Sequence, residues 1–221
     1  MLNSFFYIIF AYLLGSFPSG FLITHFSTQK NILEIGWRKT SGSNVFKNIG
    51  MWQGALTGIL DVLKGFLAVR IAQRIGFSSE IQVFSGLFAV IGHNWSFFLK
   101  GAGGRGIGTF GGAFLAISPK ILGFSLIPFM LLGIIWNLSI GTILFLITAI
   151  TLSFYFNQLT TAGFFSILSL VPIFIKRLSP IEEIKKAQNK AVLIKNRLIF
   201  DDDTRPQGWR IKRIVRCLTK K

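Results

Sequence analysis

The stretch 100-KGAGGRGIGTFGGAFLAISP-119 sets glycines around a lysine and an arginine and runs without a break into an apolar segment. Gly101 to Gly106 satisfies G-x-G-x-x-G, so the stretch is either the phosphate loop of a soluble dinucleotide fold or a polar turn between membrane spans. Its context excludes the first reading. No soluble strand precedes it, an apolar run follows it, and no Asp or Glu lies between Glu80 and Glu182 to take a ribose hydroxyl. The G-x-x-x-x-G-K-[ST] phosphate loop is absent as well.

The chain around this stretch supports the second reading. Of 221 residues, 51% are hydrophobic and 14% charged, more apolar surface than a soluble domain of this size hides. Runs at 3–26, 51–70, 81–99, 121–136, 139–156 and 159–176 reach or approach the ~20 residues that a hydrocarbon core requires. The shorter run 106–118 reads as a thin span or a half-helix. MLNSFFYIIFAYLLGSFPSG has no Lys or Arg before its apolar run, so it reads as a first span rather than a cleaved signal. The expectation is an all-α integral membrane protein of about seven transmembrane helices, one short and Gly-rich. Residues 1–176 form its transmembrane domain and 177–221 a basic cytoplasmic tail. One cysteine, Cys217, and two histidines exclude an internal disulfide and argue against a transition-metal site.

The net charge of +16 is unevenly placed, because residues 176–221 hold 14 of the 24 Lys and Arg and five of the eight acids. Beside a span, such a tail is a partner for anionic membrane lipids rather than for nucleic acid. Ile181, Ile184, Ala187, Ala191, Ile194 and Leu198 make an amphipathic pattern, and 209-WRIKRIVRCLTKK-221 reads as a basic interfacial segment. With the N-terminus outside, the inside segments carry 20 basic residues, against Arg70, Arg74 and Lys120 at the outside ends. The positive-inside rule therefore places the N-terminus outside and the C-terminus in the cytoplasm. Both cationic loops, 27–50 and 100–109, then face the cytoplasm, where an anionic metabolite reaches them.

Gly104, Gly108 and Gly112 fall at i, i+4 and i+8, the spacing that lets membrane helices approach closely. Packing does not account for Gly101, Gly103 and Gly106, or for Lys100 and Arg105 among them. Backbone N–H groups freed by glycine, together with a helix N-terminus near Gly106, suit a phosphate or carboxylate. The loop 36-GWRKTSGSNVFKNIG-50 offers Arg38, Lys39 and Lys47 with Thr40, Ser41, Ser43 and Asn44, and reads either as a second anion site or as a solvated positive-inside loop. Asp61 and Lys64 share a helical face within a span, as a structural ion pair or as a pair lining a substrate site. His93, in 92-GHNWSFFLK-100, is a proton carrier or a residue that holds the glycine loop.

In succession, 12-YLLGSFPSGFLI-23, 42-GSNVFKNIG-50, 61-DVLKG-65, 92-GH-93, 97-FFLKGAGGRGIGT-109 and 114-FLAISP-119 resemble the bacterial acyl-phosphate:glycerol-3-phosphate acyltransferase family over roughly residues 5–120. The resemblance implies a seven-span enzyme of the inner (cytoplasmic) membrane with its active site at the cytoplasmic face. It would take acyl phosphate and glycerol 3-phosphate as substrates and release lysophosphatidic acid and inorganic phosphate in phospholipid synthesis, with no cofactor. The family's first-loop pattern G-S-G-N-x-G-A-T-N-x-x-R places Gly36 and Asn44 on matching residues, Ser43 on its threonine and Lys47 on its phosphate-binding arginine. Trp37 stands on its active-site serine and Arg38 on the following glycine. The pattern K-G-G-K-G-V-A-T places Gly103, Gly104, Gly106 and Thr109 on matching residues and Arg105 on a lysine. A third motif is echoed by 197-RLIFDDD-203, with Arg197 and Leu198 matching and Asp203 on a glutamate.

The resemblance and the residue chemistry together give Ser43, Asn44 and His93 as catalytic candidates. They give Gly36, Arg38, Lys47, Lys100, Gly103, Gly104, Arg105, Gly106 and Thr109 as substrate-binding ones. Loss of the serine and of most of the third motif leaves a second reading open, a relative that binds or moves phosphorylated lipids or small anions without chemistry. Oligomeric state is not legible in the chain.

Overall fold

The computed structural model of the chain describes residues 2–205, which fold into helices and, among the described residues, no strand. The first apolar run is two helices, α1 (Leu2–Ser16) and α2 (Ser19–Thr28). They part at Phe17–Pro18, where proline has no N–H to continue the ladder. After a loop come α3 (Gly42–Asn48), the 25-residue α4 (Met51–Ile75) and α5 (Ser79–Asn94). The glycine stretch leads into α6 (Ile107–Ile117), α7 (Pro119–Ile135) and α8 (Leu138–Tyr155). A π-helical turn, Leu159–Gly163, then opens α9 (Phe164–Leu178), and α10 (Ile181–Lys186) and α11 (Lys190–Phe200) follow. Leu2–Thr28, Leu138–Tyr155 and Leu159–Leu178 are long and apolar enough to cross a membrane, whereas α6 and α7 are apolar but shorter.

Loops gather at two opposite ends. At one, Thr40 N–H donates to the Gly103 carbonyl, Lys176 Nζ to the Gly101 carbonyl and Arg177 to the carbonyls of Ser139 and Leu198. At the other, Tyr7 lies against Phe77, Gln73 donates to the Ala116 carbonyl and Lys120 sits over the Phe156 ring.

Between lipid-facing helices there is little hydrophobic driving force, so close backbone approach carries the packing. A Cβ on Gly65 would meet the Thr109 carbonyl, and one on Gly112 would meet the Val62 carbonyl, so α4 and α6 cross in contact. Gly15 and Gly92 let α1 and α5 meet in the same way, against the backbones of Ala89 and Tyr12. Beside the α4–α6 crossing, Phe110 stacks on Phe165 at 5.0 Å and meets Phe145 edge-on at 5.4 Å, all three rings buried.

Several expected boundaries move. The run 81–99 ends as helix at Asn94, because residues 95–102 close into a loop pinned to α1: Ser96 Oγ donates to the Ser16 carbonyl at 2.6 Å and Ser96 N–H to that of Ala102. Gly104 precedes α6, so only Gly108 and Gly112 of the expected glycine series lie on one helix. The amphipathic pattern beyond residue 180 is divided between α10 and α11, with Asn189 capping the second through Val192 N–H. The segment 209–221 and Cys217 lie outside the described residues.

Candidate active site

At the break that Pro18 makes in the first span, the Phe17 carbonyl accepts from Ser19 N–H at 3.0 Å and from Lys64 Nζ at 2.9 Å. Ser19 Oγ, one residue on, donates to Asp61 Oδ1 at 2.7 Å, and Lys64 Nζ lies 2.9 Å from the same oxygen. His93 Nδ1 is 3.5 Å from Asp61 Oδ1 and 3.3 Å from Lys64 Nζ. All four side chains are buried, and each charge meets a partner, as a buried ion pair requires. This cluster is a pedestal for the glycine loop. Gly104 N–H donates to the His93 carbonyl at 3.0 Å, and a Cβ on Gly104 would strike the imidazole. A Cβ on Gly103 would strike the His93 and Asn94 carbonyls, so both glycines are dictated by contact. Gly106, at φ +77°, caps α6 and lies against Asn94.

Above the pedestal, the first loop is organised by Asn44. Its Nδ2 donates to the carbonyls of Lys39 (2.8 Å) and Ile35 (3.1 Å), and its Oδ1 accepts from Trp37 N–H and Asn48. The amide is fully engaged and buried, so it shapes the loop. Gly36 takes φ +58° with Asn44 and Asn48 packed where a side chain would go. Trp37 receives two cations: Lys47 Nζ is 4.8 Å from the ring centroid and the Arg105 guanidinium 4.6 Å. Arg105 Nη1 lies 2.6 Å from Asp201 Oδ2, while its buried Nε has no acceptor among the described residues.

A cavity of about 1570 Å³ lies between α4 and α6 on one side and α7 and α8 on the other. Its deep walls are apolar, with Leu115, Leu122, Leu126 and Phe129, and its mouth carries Trp37, Ser41, Ser43, Lys47, His93, Arg105, Gly106 and Asp201. Ser41 Oγ and Ser43 Oγ are 3.3 Å apart in that mouth. A second, polar cavity of about 70 Å³ lies behind Trp37, between Lys39, Arg177, Arg197 and Asp201 to Asp203.

Of the expected site residues, the structure brings Ser43, Lys47, His93, Arg105 and Gly106 to the large cavity. Gly36 and Arg38 face the small one, where Arg38 pairs with Glu183. Lys100 sits exposed at a loop tip, φ +51°, in neither cavity. Thr109 is buried at the α4–α6 crossing, its hydroxyl without a partner among the described residues. Asp203, expected in the role of a glutamate, pairs with Arg197 at 2.7 Å, and it is Asp201 that reaches the mouth.

Asp201 escapes a reading by sequence pattern, and Lys39, one of the cations the first loop offers, differs from the others in being buried. Lys39 is buried, with Nζ donating to the Lys176 carbonyl at 3.3 Å and 3.9 Å from Asp201. Burial, and then the neighbouring Arg105, push its ammonium down to about 8 despite the pull of Asp201. Burial pushes the Asp201 carboxyl up, against the pull of Arg105 and Lys39. The available signal was the triple acid 201-DDD-203 after a helix in a chain with few acids.

This arrangement can hold an amphiphile that carries an anionic head: cations and hydroxyls at the mouth, hydrocarbon walls below. Residues 5–187 match the sequence pattern of a family described as glycerol-3-phosphate acyltransferase. A glycerol-3-phosphate acyltransferase of Prochlorococcus marinus is 41% identical over 114 residues, 52% of this chain, and the chain spans 58% of that relative's length. Glycerol-3-phosphate acyltransferase 5 of Dehalococcoides mccartyi is 30% identical over 213 residues, covering 93% of this chain and 91% of the relative. The crystal structure of PlsY, an integral membrane glycerol 3-phosphate acyltransferase, in its glycerol 3-phosphate form superposes with a TM-score of 0.73 at 28% identity, covering 83% of this chain and 92% of that one.

Proposed function

Because the chain belongs to the glycerol-3-phosphate acyltransferase family and is an all-helical integral membrane protein, we propose that it transfers a fatty acyl group from acyl phosphate to glycerol 3-phosphate. The products are lysophosphatidic acid and inorganic phosphate. One observation carries this reading: a single cavity runs from apolar walls at Leu115 and Phe129 to a mouth holding Lys47 and Arg105. A molecule with a fatty chain and a phosphate at one end fits both halves at once.

Acyl phosphate is already activated, so positioning and charge stabilisation are sufficient catalysis. Arg105, the N–H groups at the start of α6 and Lys47 bind phosphate oxygens. Ser43 and Ser41 orient the acceptor. The acceptor hydroxyl oxygen bonds to the acyl carbon, the bond from that carbon to the phosphate oxygen breaks, and the hydroxyl proton leaves with phosphate. His93 holds the glycine loop on the Asp61–Lys64 pair, a role supported by its contacts with Gly104 on one side and Asp61 on the other.

The protein lies in the inner membrane in seven crossings, with the N-terminus outside and residues 177–221 forming a cytoplasmic tail. The gathering of the basic loops at one end supports this orientation. The reading is tested by supplying the purified protein in lipid with palmitoyl phosphate and glycerol 3-phosphate. Lysophosphatidic acid identified by mass spectrometry is the expected product; binding of glycerol 3-phosphate without any ester would point instead to a non-catalytic binding protein.

A further inference from the structure

Three glycines of α6 lie within five residues, and their surroundings differ. A Cβ on Gly108 would come 3.1 Å from Asp61 Cβ, and one on Gly112 would meet the Val62 carbonyl, so these two are explained by the crossing with α4. Gly111 is not. A Cβ there would meet nothing within 4 Å, and the residue lines the large cavity. Glycine in a helix interior costs roughly 1 kcal/mol relative to alanine, and no contact at this position requires it. Its φ is not in the left-handed region either. What glycine preserves at Gly111 is open space in the cavity.

The position has a depth. At 1.5 Å per helical residue, Gly111 lies about 6 Å along α6 from Ile107, the helix's first residue at the cavity mouth. Leu115, one turn further and also in the lining, lies about 12 Å along the helix from Ile107. Gly111 therefore stands partway down the path that a chain takes from the cationic mouth to the apolar floor.

Building on the acyl-transfer reading above, we infer that Gly111 is a specificity-determining residue: its missing side chain admits long acyl chains past the middle of the cavity, and Leu115 limits them below. Side chains of rising size at Gly111 close the path at a fixed depth, so short chains still bind and long ones do not. Removing bulk at Leu115 has the opposite effect.

The test compares octanoyl with palmitoyl phosphate in the native chain and in Gly111→Ala, Gly111→Leu, Gly111→Phe, Leu115→Ala and Gly123→Leu. Gly123 is an exposed glycine of α7 with nothing within 4 Å and no place in the lining, so it controls for the change in helix propensity. The palmitoyl-to-octanoyl ratio of kcat/KM is expected to fall stepwise through the Gly111 series. By Gly111→Phe the loss is roughly tenfold or more, the discrimination that mismatched apolar volume supports. The ratio rises in Leu115→Ala and stays level in Gly123→Leu. A ratio unmoved by Gly111→Phe, or moved equally by Gly123→Leu, overturns the inference. Displacement of a fluorescent fatty acid by octanoate and palmitate reads the same ratio without turnover. If the native chain makes no ester, the acyl-transfer reading falls; the displacement ratio then still decides for or against Gly111.

Discussion

Arg105 and Asp201 meet at 2.6 Å across 96 residues of chain, and Arg105 Nη2 also donates to the Asp201 carbonyl at 3.2 Å. An acid from the end of α11 thus lies against the cation that the glycine loop presents to the cavity mouth. Asp201 holds φ +54°, a left-handed conformation that favours glycine, and this turn aims its carboxylate inward. Any anion at Arg105 shares the guanidinium with Asp201 or replaces it.

Asp201→Asn keeps an oxygen acceptor for Arg105 and removes a negative charge from the mouth. Affinity for inorganic phosphate is expected to rise roughly fivefold, the effect of about 1 kcal/mol of repulsion relieved in a hydrated site. Titration calorimetry at low salt reads this directly. Weaker binding in the variant would show that the carboxylate serves to orient Arg105.

Arg105→Ala and Gly112→Ala separate chemistry from packing. Loss of the guanidinium, made together with Asp201→Asn so that no buried carboxylate is left unpaired, should lower kcat/KM roughly 100- to 1,000-fold, as removal of a donor to developing charge does, with little change in thermal stability. Gly112→Ala forces a methyl group onto the Val62 carbonyl and should destabilise the protein by about 1–3 kcal/mol. Thermal unfolding in detergent and turnover at low temperature check the pair; the reverse pattern contradicts the assignment.

Lys39 gives the site a pH dependence. Its ammonium loses its proton near 8, because burial and then Arg105 disfavour the charge. Affinity for glycerol 3-phosphate is therefore expected to fall as pH rises through about 8, and Lys39→Gln should flatten the profile. Stability moves the opposite way. The unfolded chain keeps this proton up to the ordinary 10.5, so the folded state gains as pH climbs from about 8 toward that value. Calorimetry on either side of the lower value decides, and an equal slope in Lys39→Gln removes Lys39 from the account.

Trp37 stands where the family resemblance places a serine, and its ring takes Lys47 and Arg105. Trp37→Ser should raise KM for acyl phosphate about 5- to 30-fold, the loss of roughly 1–2 kcal/mol of cation–ring attraction. Trp37→Phe should retain most of the affinity. If Trp37→Ser instead improves turnover, the indole is an obstruction to the acceptor rather than a support for the cations.

The features legible in the sequence were those written in periodicity and local spacing. Apolar runs announced the spans, Asp61 and Lys64 their shared face, and the glycine loop its junction with α6. The i, i+4 spacing marked Gly108 and Gly112 as packing positions but said nothing of Gly111, because glycine spells both close contact and open space. Asn44 stood as a catalytic candidate because a loop amide has the same letters whether it faces a ligand or its own backbone. Asp201 was hidden, and Lys39 was legible only as one loop cation among three, because their pairing arises from a tertiary contact between the first loop, the glycine loop and the end of α11. Asp203 had the matching position, yet the left-handed turn at Asp201 sends that residue to Arg105 and leaves Asp203 with Arg197.

The most direct measurement is an experimental structure of the protein with a non-hydrolysable acyl phosphonate bound. The phosphonate is expected within hydrogen-bond distance of Arg105 and Lys47, displacing or sharing the carboxylate of Asp201, with the chain running past Gly111 between α6 and α7. A phosphonate bound away from Arg105, or a chain lying outside that cavity, would contradict the account.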